Sequence, residues 1–293
     1  MRISSYLSSD GNASFGVVTG EGIRDVGPGL RADYPDLRAV LAADALPLLA
    51  AAAATAPLLE PAAVRFLPPV ANPDKILCVG LNYATHIAET GRERPSHPSI
   101  FTRYPGSLVG HGVPVERPFV SEKFDYEGEL AVVIGRPGRH VPEAHAFEHV
   151  AGYTLFNDGS VRDWQRHTTQ FWAGKSFSRS GAMGPWLVTA DEIPDPARLH
   201  LKTRLNGAEV QSAGLDDLVF GVARLIAYLS TVIELLPGDV IATGTPGGVG
   251  LFRQPPLFLK AGDVVEVEVE GIGILANPVV DEAPVAAGAA AAA

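Results

Sequence analysis

In Asp125-Tyr126-Glu127-Gly128-Glu129-Leu130, three carboxylates occupy alternate positions just before the apolar run Ala131-Val132-Val133-Ile134. Such a run reads as a strand entering a buried sheet, and a strand sends residues two apart to the same face. Asp125, Glu127 and Glu129 would then converge at the edge of a hydrophobic core, where like charges repel unless something positive sits among them. A hard divalent cation is the simplest candidate, because Mg²⁺ and Ca²⁺ prefer carboxylate oxygens. The stretch predicts an oxygen-ligand metal site.

Other residues suited to chemistry are scattered along the chain. His86 and Glu89 lie three apart in Leu81–Thr90, which reads as a short helix stopped by Gly91, so they share a face. A carboxylate beside an imidazole orients it and raises its basicity, as a general base needs; the same spacing fits an ordinary surface pair. Ala151–Phe156 reads as a buried strand delivering Asn157-Asp158-Gly159-Ser160 at its end, a favoured place for active-site groups. Asp158 would equally serve to cap a helix starting near Val161. Lys175 stands alone among aromatic and small residues in Gln170–Phe177, either snorkelling to solvent or held where its charge is used. Thr243–Gly250 is a glycine-rich loop without the lysine of a P-loop, so its N–H groups and threonines suit a carboxylate rather than a nucleotide. His145 and His149 are four apart, but no third metal ligand is in register.

The elements that must position these residues belong to a well-cored chain. With 293 residues, 46% hydrophobic and 19% charged, it is long enough for one large domain or two smaller ones. A net charge of −10 argues against a general nucleic-acid surface, and the single cysteine, Cys78, excludes a disulfide framework. No apolar stretch has the length of a membrane span or a signal-peptide core, so the expected location is cytoplasmic. Residues 1–70 read as a small α+β unit, with strands at Ile3–Tyr6, Phe15–Val18 and Gly22–Val26 and an Ala/Leu-rich helical stretch over Leu37–Ala56 interrupted at Pro47. A proline-rich linker leads into the main body, 71–281, and an Ala-rich tail occupies 282–293. In the main body Lys75–Val79, Met183–Val188 and Val240–Ala242 read as buried strands. Leu199–Leu205 and Glu209–Gln211 form a hairpin about Asn206-Gly207, and Leu218–Leu236 is an amphipathic helix. Residue chemistry alone therefore gives a β-rich α+β enzyme.

From Lys75 to Val280 the chain resembles the fumarylacetoacetate hydrolase family. The resemblance is carried, in order, by Lys75–Tyr83, Asp125–Ile134, Ala151–Asp158, Ala173–Phe177, Met183–Thr189, Pro237–Gly250 and Asn277–Val279. Residues 1–70 resemble the smaller leading domain of longer members. The resemblance implies a mixed β-sheet roll, a homodimer, and a small-molecule substrate: an acid carrying a 2-oxo or 1,3-dicarbonyl group. It implies Mg²⁺ or Mn²⁺, with Ca²⁺ as a substitute, held by Glu127, Glu129 and Asp158. It further implies a lid dyad of His86 and Glu89, an active-site Lys175, and Thr245 as the substrate contact of Thr243–Pro246. Asp125 is left with an orienting role, paired with Lys123. Arg162, Arg166, His167 and Gln170 are expected to shape the pocket, with Arg162 and Gln170 as substrate contacts. The implied activity is hydrolysis of a C–C bond in an acylpyruvate or 1,3-diketo acid, His86 activating water. Oxo-acid decarboxylases, isomerases and hydratases share the platform, so lyase chemistry is the alternative. An inactive oxo-acid-binding protein is a third reading, against which the filled ligand and dyad positions weigh.

Overall fold

A computed structural model describes residues 1–283, so the Ala-rich tail from residue 284 lies outside the described residues. The architecture is mixed α+β, built on a twelve-stranded and a five-stranded sheet with a short ribbon between Phe124–Asp125 and Ser160–Val161. Val150–Asn157 and Gly128–Ile134 are buried at every position, as expected of strands covered on both faces. Gly128–Ile134 pairs antiparallel with Val150–Asn157 on one side and with Val240–Ala242 on the other. Val240–Ala242 in turn pairs parallel with Ile76–Gly80, which makes the sheet mixed.

The large sheet continues through the leading residues. Arg2–Leu7 hydrogen-bonds along Gly181–Thr189, and Ala13–Thr19, Gly22–Asp25 and Leu58–Leu59 extend the sheet outward. Residues 1–70 also bring a core of their own, centred on Phe15, Leu37, Val40 and Leu49, which closes on Val133, Ala151 and Leu187 of the main body. The Ala/Leu-rich stretch is two helices. Leu37–Ala42 is capped by Asp36, whose carboxylate accepts from Ala39 N, and Leu46–Ala53 carries Pro47 in its first turn, where the missing N–H is not needed.

The five-stranded sheet runs Ala208–Gly214, His200–Leu205, Val264–Val269, Gly273–Asp281, Val115–Arg117. Its hairpin turns at Asn206 and Gly207 with φ of 52° and 80°, the positive values a type I′ turn requires. The two sheets touch at Gly128, where a Cβ would meet Thr203 Oγ1 at 2.1 Å. Only glycine fits between Glu127 and Glu129 for this reason. The helix expected over Leu218–Leu236 is shorter, Val222–Val232. At its start Asn82 draws the chain away, since its side chain bonds both the N–H and C=O of Phe220. At its end Leu235 exchanges backbone hydrogen bonds with Gly138 instead. Among the described residues no helix is long and apolar enough to cross a membrane.

Candidate active site

The expected carboxylate strand is interrupted: Phe124–Asp125 belongs to the separate ribbon, and the sheet strand starts only at Gly128. Asp125 is thereby removed from the group, and strand register supplies another member. Gly128 pairs with Asn157 and Glu129 with Phe156, while Asp158 N donates to Glu127 O at 2.8 Å. The end of Val150–Asn157 thus delivers Asp158 beside both glutamates, and the helix Arg162–Gln165 has no side-chain cap. One oxygen from each of Glu127, Glu129 and Asp158 lies within 4.8 Å of the others, and all three residues are buried. A buried set of hard oxygen donors this close together could hold a divalent metal ion.

Burial opposes adjacent anions, and the site answers with cations. Lys175 Nζ lies 2.7 Å from Glu127 Oε2 and 2.6 Å from Asp158 Oδ2. Gly174 makes this approach possible, since a Cβ there would strike the backbone of Gln165 at 2.4 Å. Arg162 Nη1 lies 2.6 Å from Glu127 Oε1, and its Nε 2.7 Å from Asp125 Oδ2. Arg103, buried at the end of Ser99–Arg103, donates to Asp158 Oδ1 and to Gly159 O, with its other nitrogens on Ser107 and Ser180. Lys175, Arg162 and Arg103 match Asp158, Glu127 and Asp125 one for one in charge, and Glu129 is left over. Burial pushes Glu127 up, but Lys175 and Arg162 outweigh it and hold the carboxyl at about 2. Glu129 goes the other way: burial, reinforced by Asp158 and Glu127, pushes it well up against Lys175 and the Gly244 amide. For Lys175, burial favours the neutral amine, yet Asp158 and Glu127 prevail and raise it.

Asp125 pairs with Arg162, not with Lys123. Its carboxylate also accepts from the backbone N–H groups of Tyr126, Gly250 and Leu251 at 2.9 Å each. Removing it would leave Arg162 without one of its two buried anions. Asp125→Ala is expected to lower the free energy of unfolding by about 3–5 kcal/mol, the usual cost of breaking a buried ion pair from one side. Urea denaturation reads this directly, and an unshifted midpoint would show the pair to be dispensable.

The dyad helix is Ala84–Thr90, ended by Gly91 at φ 66°. His86 Nδ1 lies 2.7 Å from Glu89 Oε1, and Glu89 Oε2 accepts from Gly248 N at 2.8 Å. The glycine-rich loop therefore does bind carboxylates, but they are the protein's own. Gly244 N holds Glu129, Gly248 N holds Glu89, and Gly250 N and Leu251 N hold Asp125. Gly244 and Gly248 have φ of 106° and 101°, which aim successive N–H groups in directions other residues resist. Thr245 Oγ1 is tied into the same frame, donating to Gly128 O at 2.9 Å and accepting from Gln211 Nε2 at 2.8 Å.

A cavity of about 180 Å³ has His86, Glu127, Arg162, Lys175 and Thr245 in its wall, faced by Phe101, Phe171 and Phe252. Glu129 and Asp158 do not reach that wall. Gln170 is not brought in either. Thr168 bonds the backbone of Gln170 in a turn that puts this residue on an exposed groove with Tyr104 and Trp172. Gln165 lines the cavity instead, its Oε1 accepting from Arg162 at 3.1 Å. His167 is exposed, 4.7 Å from the Trp164 ring, while His145 pairs with Glu148 and His149 with Arg136 O. Sequence reasoning passes over Arg103 and Gln165. Their signals are a lone cation ending the apolar Ile100-Phe101-Thr102 and a glutamine three residues after Arg162 on one helix face.

These features have counterparts among known proteins. The family described as fumarylacetoacetate (FAA) hydrolase C-terminal matches residues 75–280, and the chain belongs to the fumarylacetoacetate hydrolase family. The oxaloacetate tautomerase Fahd2a, mitochondrial, of Rattus norvegicus is 46% identical over 231 residues, covering 78% of this chain and 74% of that protein. Fumarylacetoacetate hydrolase from psychrophilic Exiguobacterium antarcticum is 37% identical with a TM-score of 0.86, over 96% of this chain and 100% of that one. Maleylpyruvate hydrolase from Sphingobium sp. SYK-6, solved with manganese(II) and pyruvate, is 29% identical with a TM-score of 0.81, over 97% and 100% of the two chains. The family is one of enzymes, and its members here include both a tautomerase and hydrolases.

Proposed function

We propose that the protein is a divalent-metal-dependent tautomerase of 2-oxo acids, moving a proton between carbon and oxygen of an oxaloacetate-type substrate. The observation that carries this reading is a single cavity wall holding His86, which Glu89 orients from behind, together with Glu127, Arg162 and Lys175. The relationship to an oxaloacetate tautomerase at 46% identity supports it. Glu127, Glu129 and Asp158 would hold Mg²⁺ or Mn²⁺, which supplies a Lewis acid for the carboxylate and 2-oxo oxygens of the substrate.

The remaining chemistry falls to side chains. Arg162 Nη2 is buried and has no hydrogen-bond partner among the described residues, so it offers a charged donor to the carboxylate of the substrate. Glu89 occupies His86 Nδ1, which leaves Nε2 to take the proton from the carbon beside the ketone. Electrons from that C–H bond form the C=C bond, and the ketone oxygen gains the charge. Lys175, kept protonated by Asp158 and Glu127, donates toward this oxygen. The oxygen becomes the enol hydroxyl by taking that proton from Lys175, and the reverse sequence gives it back to Lys175 while His86 returns its proton to carbon. No step consumes water, which suits walls of Phe101, Phe171 and Phe252.

Hydrolysis of an acylpyruvate C–C bond is the second reading, favoured by the same dyad if His86 activates water instead of a C–H bond. A direct comparison tests both. Purified protein with Mg²⁺ or Mn²⁺ is given enol-oxaloacetate, with loss of enol absorbance followed, and separately an acylpyruvate, with pyruvate release followed. EDTA-sensitive acceleration of the first supports tautomerisation. Pyruvate release with no acceleration of the first would transfer the assignment to hydrolysis.

A further inference from the structure

We propose that Arg253 is a positioning residue for the His86–Glu89 dyad, acting through the backbone of Gly248. This rests on the dyad reading of the site, which tautomerisation and hydrolysis share. The dyad is held from outside its own helix: His86 Nδ1 meets Glu89 Oε1, and Glu89 Oε2 accepts from Gly248 N at 2.8 Å. Gly248 is a poor anchor by itself. Its φ of 101° strains other residues, and a Cβ there would strike Val210 O at 2.2 Å, so no side chain can stiffen it. A residue this free aims its N–H reliably only when something else fixes its carbonyl.

Arg253 supplies that fixture. Its Nε donates to Gly248 O at 3.1 Å and to Tyr126 Oη at 3.0 Å, and its Nη2 donates to Val210 O at 2.6 Å. Tyr126, fully buried between Asp125 and Glu127 in sequence, donates in turn from Oη to Gly248 O at 3.0 Å. The guanidinium thus ties Gly248 to the strand Ala208–Gly214 on one side and to the carboxylate segment on the other. A rigid planar fork reaches these three oxygens together, which an ammonium on a flexible stem does less well. Among the described residues Arg253 forms no ion pair; its acceptors are all neutral oxygens. Its work therefore differs from that of Arg103, Arg162 and Lys175, which balance buried carboxylates. Phe252, the preceding residue, lines the cavity and meets the His86 ring edge-on with centroids 6.3 Å apart. Arg253 is not in the cavity wall, so its route to the substrate runs through the dyad.

Arg253→Met should lower kcat about 10-fold, short of the ~100-fold that a 1 Å misplacement can cost, with KM and Mn²⁺ affinity within about twofold of the parent. Arg253→Lys should restore part of the loss. In a Glu89→Ala background Gly248 N has no carboxylate to aim, so Arg253→Met should there cost no more than about twofold, whereas a merely structural arginine would cost the same factor in both backgrounds. Tyr126→Phe keeps the ring and removes one bond to Gly248 O, and should act in the same direction with the same silence in Glu89→Ala. Hydrogen exchange on the full chain reads the positioning without turnover. In Arg253→Met the Gly248 amide and Ala84–Thr90 should exchange faster, with Gly128–Ile134 as protected as in the parent. Unchanged exchange at Gly248, or equal kcat losses in the two backgrounds, would overturn the assignment and leave the dyad reading standing. Parental turnover in Glu89→Ala would reject the dyad reading and the assignment together.

Discussion

Replacing His86 by alanine is expected to lower turnover of enol-oxaloacetate at least ~100-fold, the low end for a positioned acid–base group. The argument is geometric. His86 is the cavity-lining imidazole, and its Nδ1 is fixed by Glu89, whose other oxygen is fixed by Gly248 N. Among the described residues the ring therefore has one free nitrogen, and its orientation is fixed. It makes no hydrogen bond to Glu127, Glu129 or Asp158, so Mn²⁺ affinity, read by calorimetry, should stay close to that of the parent while kcat falls. Glu89→Gln should lower kcat by less, since an amide can still meet Nδ1 but cannot stabilise a protonated ring. If His86→Ala kept turnover within about threefold of the parent, it would remove the dyad from the mechanism under both the tautomerase and the hydrolase readings.

What the chain discloses in advance depends on the distance over which the information acts. Gly91 as a helix stop, Asn206-Gly207 as a hairpin turn and the buried run before Ile134 are local signals, and each forms as expected. Glu127 and Glu129 are legible because alternation is local, but Asp158 is placed by the register of Gly128–Ile134 against Val150–Asn157. The strand end marks Asp158 as an active-site candidate, but only the family resemblance, which is a record of tertiary structure, names it beforehand as a metal ligand. Asp125 shows the limit: its sequence neighbour Lys123 looks like its partner, while Arg162 arrives from 37 residues away through the ribbon Phe124–Asp125/Ser160–Val161. Arg103, 55 residues from Asp158, is hidden for the same reason. Gln170 looks as suitable as Gln165 until the Thr168 turn puts the two on different surfaces. The Thr243–Gly250 loop advertises carboxylate binding correctly, and nothing in its composition says that the carboxylates are Glu129, Glu89 and Asp125. The pairing of Arg2–Leu7 with Gly181–Thr189 is likewise invisible to composition, which sees only a linker near residue 70.

Divalent-metal binding is expected to tighten as pH rises and to release a proton. Glu129 is the group responsible, because burial and the neighbouring Asp158 and Glu127 push its carboxyl well above the usual range. Glu127 contributes no such dependence near neutrality, being held at about 2. A ligating carboxylate must be ionised, so below the raised value of Glu129 the apparent Mn²⁺ affinity should climb about tenfold per pH unit and then level off. Calorimetry in two buffers of different ionisation enthalpy measures the proton released, and Glu129→Gln should remove both the release and the slope. The charge balance gives this a functional consequence. Asp125, Glu127 and Asp158 are already matched by Arg162, Lys175 and Arg103, so the inner cluster without metal has no surplus charge of its own to hold an anion. Adding a dication and removing the Glu129 proton leaves a single positive surplus beside the unpartnered Arg162 Nη2. Oxalate should accordingly bind the metal-loaded protein far better than the metal-free one. EDTA should lower turnover at least ~100-fold, since a Lewis acid supplies several kcal/mol of stabilisation where charge develops. Metal affinity that stayed flat from acid to neutral pH, with no proton released, would sink the assignment of Glu129 as a ligand.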